Sequence, residues 1–191
     1  MVYGGAGPSS AFPMASSNYV TENLPFLDDK SFPIIFPDIV VGYHFTKADL
    51  ITALSFRPIN QKRKAYGFEQ VLSRKSVNVE AYKFAFDYHG FAPYFGLGLS
   101  YENIHLTEID LGTQITDMRL HKWAPNLVFG WDIRSSVNGD WWVLRTNLRY
   151  YPFLKVDHQG KSLSLQHLEF NFIQFTFYPQ RLKKVKSIPI N

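Results

Sequence analysis

The stretch PYFGLGLSYENIHL, residues 93–106, alternates strictly between two kinds of side chain. Phe95 and Leu97 hold one parity, whereas Gly96 and Gly98 hold the other. Successive side chains on a β-strand point to opposite faces, so the pattern predicts a strand with one bulky apolar face and one small face. Alternation alone does not say which face lies inside. If the small face lines the interior, the bulky face must lie in lipid.

The composition is consistent with a lipid-facing exterior. Hydrophobic residues make up 46% of the 191 residues and aromatic residues 17%, whereas charged residues make up only 19%. Soluble domains usually carry about 25% charged residues. No window approaches the ~18 continuous apolar residues that a transmembrane helix requires. A barrel, whose strands turn only half of their side chains to lipid, has this profile.

Period-2 patterns occur at eight places and predict eight strands, with no helix-period stretch of convincing length. In numbers, these segments are 2–8, 38–45, 50–59, 77–88, 93–107, 125–133, 141–153 and 163–178. Met1 leads directly into strand-like sequence, so we expect a mature chain whose leader has been removed.

The connections between the segments alternate between short and long. The second, fourth and sixth segments are followed by tight turns, and the long connections are 9–37, 60–76, 108–124 and the one around 155–160. Transmembrane barrels combine short periplasmic turns with longer extracellular loops. The pattern therefore predicts that both termini are periplasmic. We expect residues 1–178 to form the barrel and residues 179–191 to form a short basic periplasmic tail.

The chemistry of the smaller face favours an interior position. On the sixth segment this face carries Asn126, Val128 and Gly130. A soluble lipocalin-type barrel would also alternate, but its solvent-facing side has no need of glycine, which weakens a strand. The lumen of an eight-stranded barrel is only just wide enough for side chains to fill. We therefore predict an all-β, eight-stranded antiparallel transmembrane barrel with the small face inside.

This assignment collects charged residues into a predicted lumen network. Its members are Arg57, Lys83, Asp87, Glu102, Asp132, Arg145, Arg149 and Glu169. The pairs expected from their heights along the strands are Arg149–Glu169, Arg145–Asp132 and, less closely, Lys83–Glu102.

Aromatic residues cluster near the short-turn end, where an interfacial girdle belongs. They are Tyr43, Phe45, Tyr88, Phe91, Trp131, Trp141 and Trp142. The last segment changes parity between Phe172 and Ile173, which predicts a β-bulge.

The chain resembles the small bacterial outer-membrane β-barrels of the OmpA/OmpX/OmpW type. The resemblance rests on the PYFGLGLSYE strand after a tight turn, the LRYYPF strand, and a last strand that closes near Phe177-Tyr178. It implies eight antiparallel strands, periplasmic termini and a bacterial outer-membrane location. The tail is too short for a peptidoglycan-binding domain, so a tethering role is not supported.

The sequence gives little support for an enzymatic, metal-binding or nucleic-acid-binding function. The deacylase-like His-x-Ser pattern is absent at all six histidines, so an outer-membrane lipid-modifying enzyme is the least favoured class. The histidines lack metal-ligand spacing, cysteine is absent, and we predict neither a metal nor a cofactor. A net charge of +4 without a basic helix gives no support for nucleic-acid binding. We expect a non-enzymatic structural or accessory subunit, with an OmpW-like channel for small hydrophobic solutes as the alternative.

Two stretches between strands are candidate contact surfaces. The connection 60–76 is basic, which predicts contacts to lipopolysaccharide phosphates or to an acidic partner. Its basic residues are Lys62, Arg63, Lys64, Arg74 and Lys75. The long first connection is apolar and proline-rich, so it would fold over the barrel mouth or contact other outer-membrane proteins.

Overall fold

A computed structural model of the chain describes residues 1–13, 34–134, 141–158, 161–164 and 166–181. In these residues, eight strands close into an antiparallel barrel and two further strands form a separate hairpin. The predicted fold, an eight-stranded antiparallel barrel, is confirmed. No helix in the described part of the chain is long and apolar enough to cross a membrane.

Consecutive barrel strands are neighbours in space, and the first strand pairs with the last to close the barrel. The strands are β1 (Val2–Pro13), β2 (Ile34–Phe45), β3 (Leu50–Ala65), β4 (Phe68–Phe84), β5 (Phe91–Asp110), β6 (Thr113–Ile133), β7 (Trp142–Tyr151) and β10 (His167–Phe177). The separate hairpin consists of β8 (Lys155–His158) and β9 (Lys161–Ser164), between β7 and β10.

Two of the predicted long loops are strands. Residues 60–76 belong to the β3–β4 hairpin, and residues 108–124 belong to the β5–β6 hairpin. In both hairpins the strand pairing continues up to a two-residue turn. The turns are Tyr66-Gly67 and Leu111-Gly112, and all four residues have positive φ, as a type I′ turn requires. The sequence prediction was wrong here because the pattern inverts beyond the apolar band: inward positions such as Ile104, Leu106 and Met118 are apolar, whereas the outward positions are mostly polar. The two turns are joined by a hydrogen bond, in which the Leu111 amide donates to the Gly67 carbonyl at 3.1 Å.

The predicted bulge in the last strand is confirmed. The register between β10 and β7 shifts between Asn171 and Gln174, and Phe172 and Ile173 both point outward. The extra residue keeps the inward parity of β10 polar on both sides of the shift.

Several predicted features lie outside the described residues. They are most of the first long connection (14–33), the turn at 135–140 and the end of the basic tail (182–191).

Strand β5 shows which of its two faces lies inside the barrel. Phe95 and Leu97 are 61% and 65% exposed on the outer surface, whereas Ser100 is fully buried inside. Gly96 and Gly98 share the inward parity of Ser100. Within the apolar band, β5 is therefore bulky and apolar outside and small or polar inside, as the sequence predicted.

Candidate functional site in the barrel lumen

A chain of charged side chains crosses the lumen. Arg57 on β3 contacts Glu80 on β4 at 3.4 Å and makes a close ion pair with Glu169 on β10. Glu169 also accepts a hydrogen bond from Arg74 at 3.0 Å, and Arg74 in turn holds Glu102 with two bonds, at 2.5 and 2.8 Å. Glu169 therefore lies between two guanidinium groups.

The chain continues on the other side of Glu80. Arg149 donates from Nε and Nη2 to both Glu80 oxygens, at 2.6 and 3.1 Å, and from Nη1 to Asp38 at 3.0 Å. Opposite charges alternate along the whole network. In order, its members are Asp38, Arg149, Glu80, Arg57, Glu169, Arg74 and Glu102.

A second cluster lies nearer the short-turn end. Arg145 binds both oxygens of Asp132, at 2.7 and 2.9 Å, and donates to the hydroxyl of Tyr82 at 2.6 Å. Its guanidinium group also lies over the rings of Tyr3, Tyr82 and Tyr94, at 5.0 to 5.6 Å from their centroids. Stacked phenol rings and a guanidinium group therefore fill this level of the barrel.

Glycines make room for these tyrosines. An alanine methyl group at Gly96 would lie 2.4 Å from Cβ of Tyr82, and one at Gly130 would lie 2.5 Å from the Tyr94 hydroxyl oxygen. Gly96 and Gly130 are thus positions where a neighbouring tyrosine occupies the space of a side chain, in the manner of aromatic rescue.

The charged and aromatic side chains at both levels of the lumen are buried. Arg57, Asp132 and Tyr94 are 0% exposed, and Arg145 is 1% exposed. A water-filled channel running past these side chains would make them accessible. The side chains of the described residues therefore fill the lumen at both levels.

Six members of the predicted network lie in the lumen: Arg57, Glu102, Asp132, Arg145, Arg149 and Glu169. The structure pairs Arg145 with Asp132, as their heights suggested. Arg149 and Glu169 are register neighbours on β7 and β10, but each pairs with residues elsewhere in the lumen.

Lys83 and Asp87 lie outside the lumen, contrary to the sequence prediction. Lys83 is exposed on the outer face of β4, where Tyr82 points inward. Asp87 follows the end of β4, where it binds Arg134 at 2.7 Å and accepts a bond from the Gly90 amide. The prediction assigned bulky aromatic residues to lipid, whereas at this level tyrosine and phenylalanine fill the lumen.

The sequence prediction for Arg74 was wrong in the opposite direction, because it put a lumen residue on the outer surface. The sequence assigned it to an extracellular basic surface, but it is buried in the network. Lys62 and Lys64 are exposed and bind Glu69 at 2.5 and 2.7 Å. Lys75 is exposed and Arg63 is half-buried.

Sequence reasoning missed Asp38, Glu80 and the lumen position of Arg74. A signal was present on β4, because polar residues recur at every second position from Arg74 to Glu80, through Ser76 and Asn78. The same spacing of two residues, continued past Glu80, places Tyr82 on the inner face as well.

Replacing Lys83 with leucine tests its position. Lys83 pairs in register with Leu50 and Phe95 on the outer surface near the short-turn end. A lipid-facing lysine near an interface costs only about 0–1 kcal/mol, so we expect Lys83→Leu to leave the free energy of unfolding unchanged or to raise it slightly. Equilibrium unfolding of the refolded barrel in lipid vesicles measures this, with Arg145→Leu as the lumen control. A loss of about 3 kcal/mol for Lys83→Leu would return the lysine to a buried ion pair.

Two solved structures resemble the chain over most of its length. Neisserial surface protein A matches with a TM-score of 0.59 at 18% identity, covering 92% of this chain and 96% of that one. The N-terminal β-barrel domain of Pseudomonas aeruginosa OprF matches with a TM-score of 0.53 at 14% identity, covering 92% and 97%. No protein-family model matches the chain, and no curated protein matches it significantly. At these identities the likeness establishes the fold, that of the small eight-stranded outer-membrane barrels.

Proposed function

We propose that this chain is an integral protein of the bacterial outer membrane with a permanently closed lumen, acting as a non-enzymatic structural or accessory subunit. The observation that carries the proposal is the charge network, which crosses the lumen without leaving room for water beside its arginines.

The height of the apolar surface supports a membrane-spanning barrel. On β5 the outward apolar positions run from Phe91 to Tyr101. Ten residues at ~3.3 Å each extend ~33 Å along a strand, which is ~25 Å vertically at a tilt of about 40°. This matches the ~25 Å apolar band of outer-membrane barrels. The seven aromatic residues predicted as a girdle border its lower edge on the outer surface.

The two extended hairpins support an accessory role. They project from the end of the barrel opposite the one where β1 begins and β10 ends. We assign this projecting end to the extracellular side. Their turns present Tyr66 and Leu111, which are strongly exposed. Contact with other outer-membrane proteins through these hairpins or through the first long connection is part of the proposal.

A hydrolytic role is not favoured by the most enzyme-like cluster in the described residues. His105 contacts Asp117 at 2.8 Å and Thr107 at 3.3 Å on the projecting sheet. Both contacts use the same nitrogen, Nε2, so the ring cannot relay a proton from the hydroxyl to the carboxylate as a catalytic triad requires.

Planar-bilayer recording tests the closed lumen. We expect the refolded full chain to insert without a steady conductance, because a conducting path would have to separate buried ion pairs. The fraction of folded barrel in the same preparation is measured by its heat-shifted mobility in detergent gels. A steady conductance in most inserted molecules would contradict the structural role and favour the channel for small hydrophobic solutes.

A further inference from the structure

The outer surface of β4–β6 changes from apolar to basic within one row of residues. Val77, Tyr101 and Trp123 are cross-strand neighbours that point outward from three adjacent strands. The next row above them contains Lys75 and His121, both exposed. Rows of outward side chains are ~7 Å apart along a strand, so the membrane boundary on this side is sharply defined.

The rows above the boundary carry cations beside a polar amide. Asn103 lies between Lys75 and His121 in register, and Arg119 lies one row higher on β6. The His121 ring stacks on Tyr101, with centroids 6.2 Å apart and planes 20° apart. These four polar residues and the aromatic row beneath them face the same side of the sheet.

The cations at the boundary are available for an anionic ligand. Neither Lys75 nor Arg119 has a carboxylate partner in the described part of the chain. Of the nearby acids, Asp117 is held by His105. Glu69 is held by two lysines farther up the hairpin, whose hydrogen bonds keep the pKa of that carboxyl group below its usual range.

On the described barrel strands, the exposed cations at this end of the barrel lie on β3–β6. At the same end of the barrel, the outward positions on β2, β7 and β10 are Ile35, Tyr150 and Leu168. Of the exposed cations, Lys62 and Lys64 on β3 bind Glu69, so Lys75 and Arg119 are the two left for an anionic ligand.

We propose that Lys75, Arg119 and His121, together with Asn103, bind the phosphates of lipopolysaccharide in the outer leaflet. The proposal rests on the proposed outer-membrane location and orientation. Lipid phosphates lie directly above the acyl chains, at the height of the first polar row above Tyr101 and Trp123. A guanidinium fork and an ammonium group are the side chains suited to phosphate. The aromatic row below would contact the upper parts of the acyl chains.

Native mass spectrometry of the refolded full chain in detergent micelles tests the proposal. The probes are diphosphoryl lipid A and the same lipid A with both phosphates removed. Lys75→Gln combined with Arg119→Gln is expected to weaken diphosphoryl lipid A binding by about 25-fold, about fivefold for each charge. Binding of the dephosphorylated lipid should not change.

Lys62→Gln combined with Lys64→Gln is the matched control. It removes two positive charges from the same face of the same sheet, farther from the boundary. We expect this variant to retain most of its lipid A affinity. An equal loss in both variants, or equal wild-type affinity for the two lipids, would overturn the proposal.

The failure of this proposal is distinguishable from failure of the proposed function. Both variants are checked for heat-shifted mobility and for insertion without steady conductance. If the barrel inserts closed but Lys75→Gln/Arg119→Gln binds lipid A normally, only the phosphate site is wrong. If the wild-type barrel does not insert, the membrane role itself is wrong.

Discussion

Glu80→Leu is expected to lower the free energy of unfolding by about 3–5 kcal/mol, because buried Arg149 loses its bidentate partner and keeps only Asp38, while Arg57 keeps only Glu169. Glu80 is one of the two inner acids of the lumen network. It accepts two hydrogen bonds from Arg149 and contacts Arg57 at 3.4 Å. Leucine has a suitable volume but cannot compensate either guanidinium group. Equilibrium unfolding by urea in lipid vesicles measures the loss.

Two further variants separate the charge effect from packing. The double variant Glu80→Leu/Arg149→Leu removes the carboxylate together with the arginine that binds it most closely. We therefore expect a coupling energy of about 0.5–3 kcal/mol between the two substitutions. Glu69→Leu is the matched control, since Glu69 lies on the same strand and also binds two cations, but on the exposed hairpin. We expect little effect there, because exposed pairs are screened by water. Additive losses at Glu80 and Arg149 would show that the bidentate pair does not form.

The inside-outside assignment could be predicted from sequence where one parity is small and the other bulky. On β5, β6 and β7 the inward residues are those that alternation indicated, including Arg145 and Arg149. Small residues at lumen positions are a local signal, because the space inside an eight-stranded barrel is limited everywhere.

Side-chain size does not give the phase of β4, because both parities there contain large residues; only the polar parity from Arg74 to Glu80 indicates it. Tyr82 fits the lumen only because Gly96 on the neighbouring strand leaves space for it. That compensation joins residues of different strands and is not visible in β4 alone. Lys83 was therefore placed on the wrong face.

The ion-pair partners could be predicted from the sequence only in part, since Arg145 pairs with Asp132 as expected but Arg149 does not pair with Glu169. Arg149 faces Glu169 across adjacent strands, and height along the strands favoured that pair. A long arginine side chain can instead reach across the lumen, and Arg149 binds Glu80 on β4. Partner choice in a narrow barrel thus depends on which side chains meet at its centre, which only the closed structure determines.

Gly96→Ala is expected to lower the free energy of unfolding by about 1–3 kcal/mol, as overpacking of a filled interior does. The added methyl group would lie 2.4 Å from the Ala81 carbonyl oxygen and 2.4 Å from Cβ of Tyr82. Both contacts involve atoms at or next to the backbone of β4, so relief requires the strands to separate. Tyr82 would also lose its stacking on Tyr94, whose ring centroid lies 4.6 Å away.

Gly98→Ala on the same strand is the control for this prediction. Its methyl group would meet the amide end of Asn126 at 2.5 Å. That amide has no hydrogen-bond partner in the described residues, so it can rotate away without breaking a bond. Since replacing glycine also restricts the unfolded chain, we expect Gly98→Ala to be close to neutral. Urea unfolding in lipid vesicles compares the two variants. Equal losses would mean that the two glycines serve strand geometry alone, whereas a loss confined to Gly96 would show that this glycine holds the space for the tyrosine layer that closes the lumen.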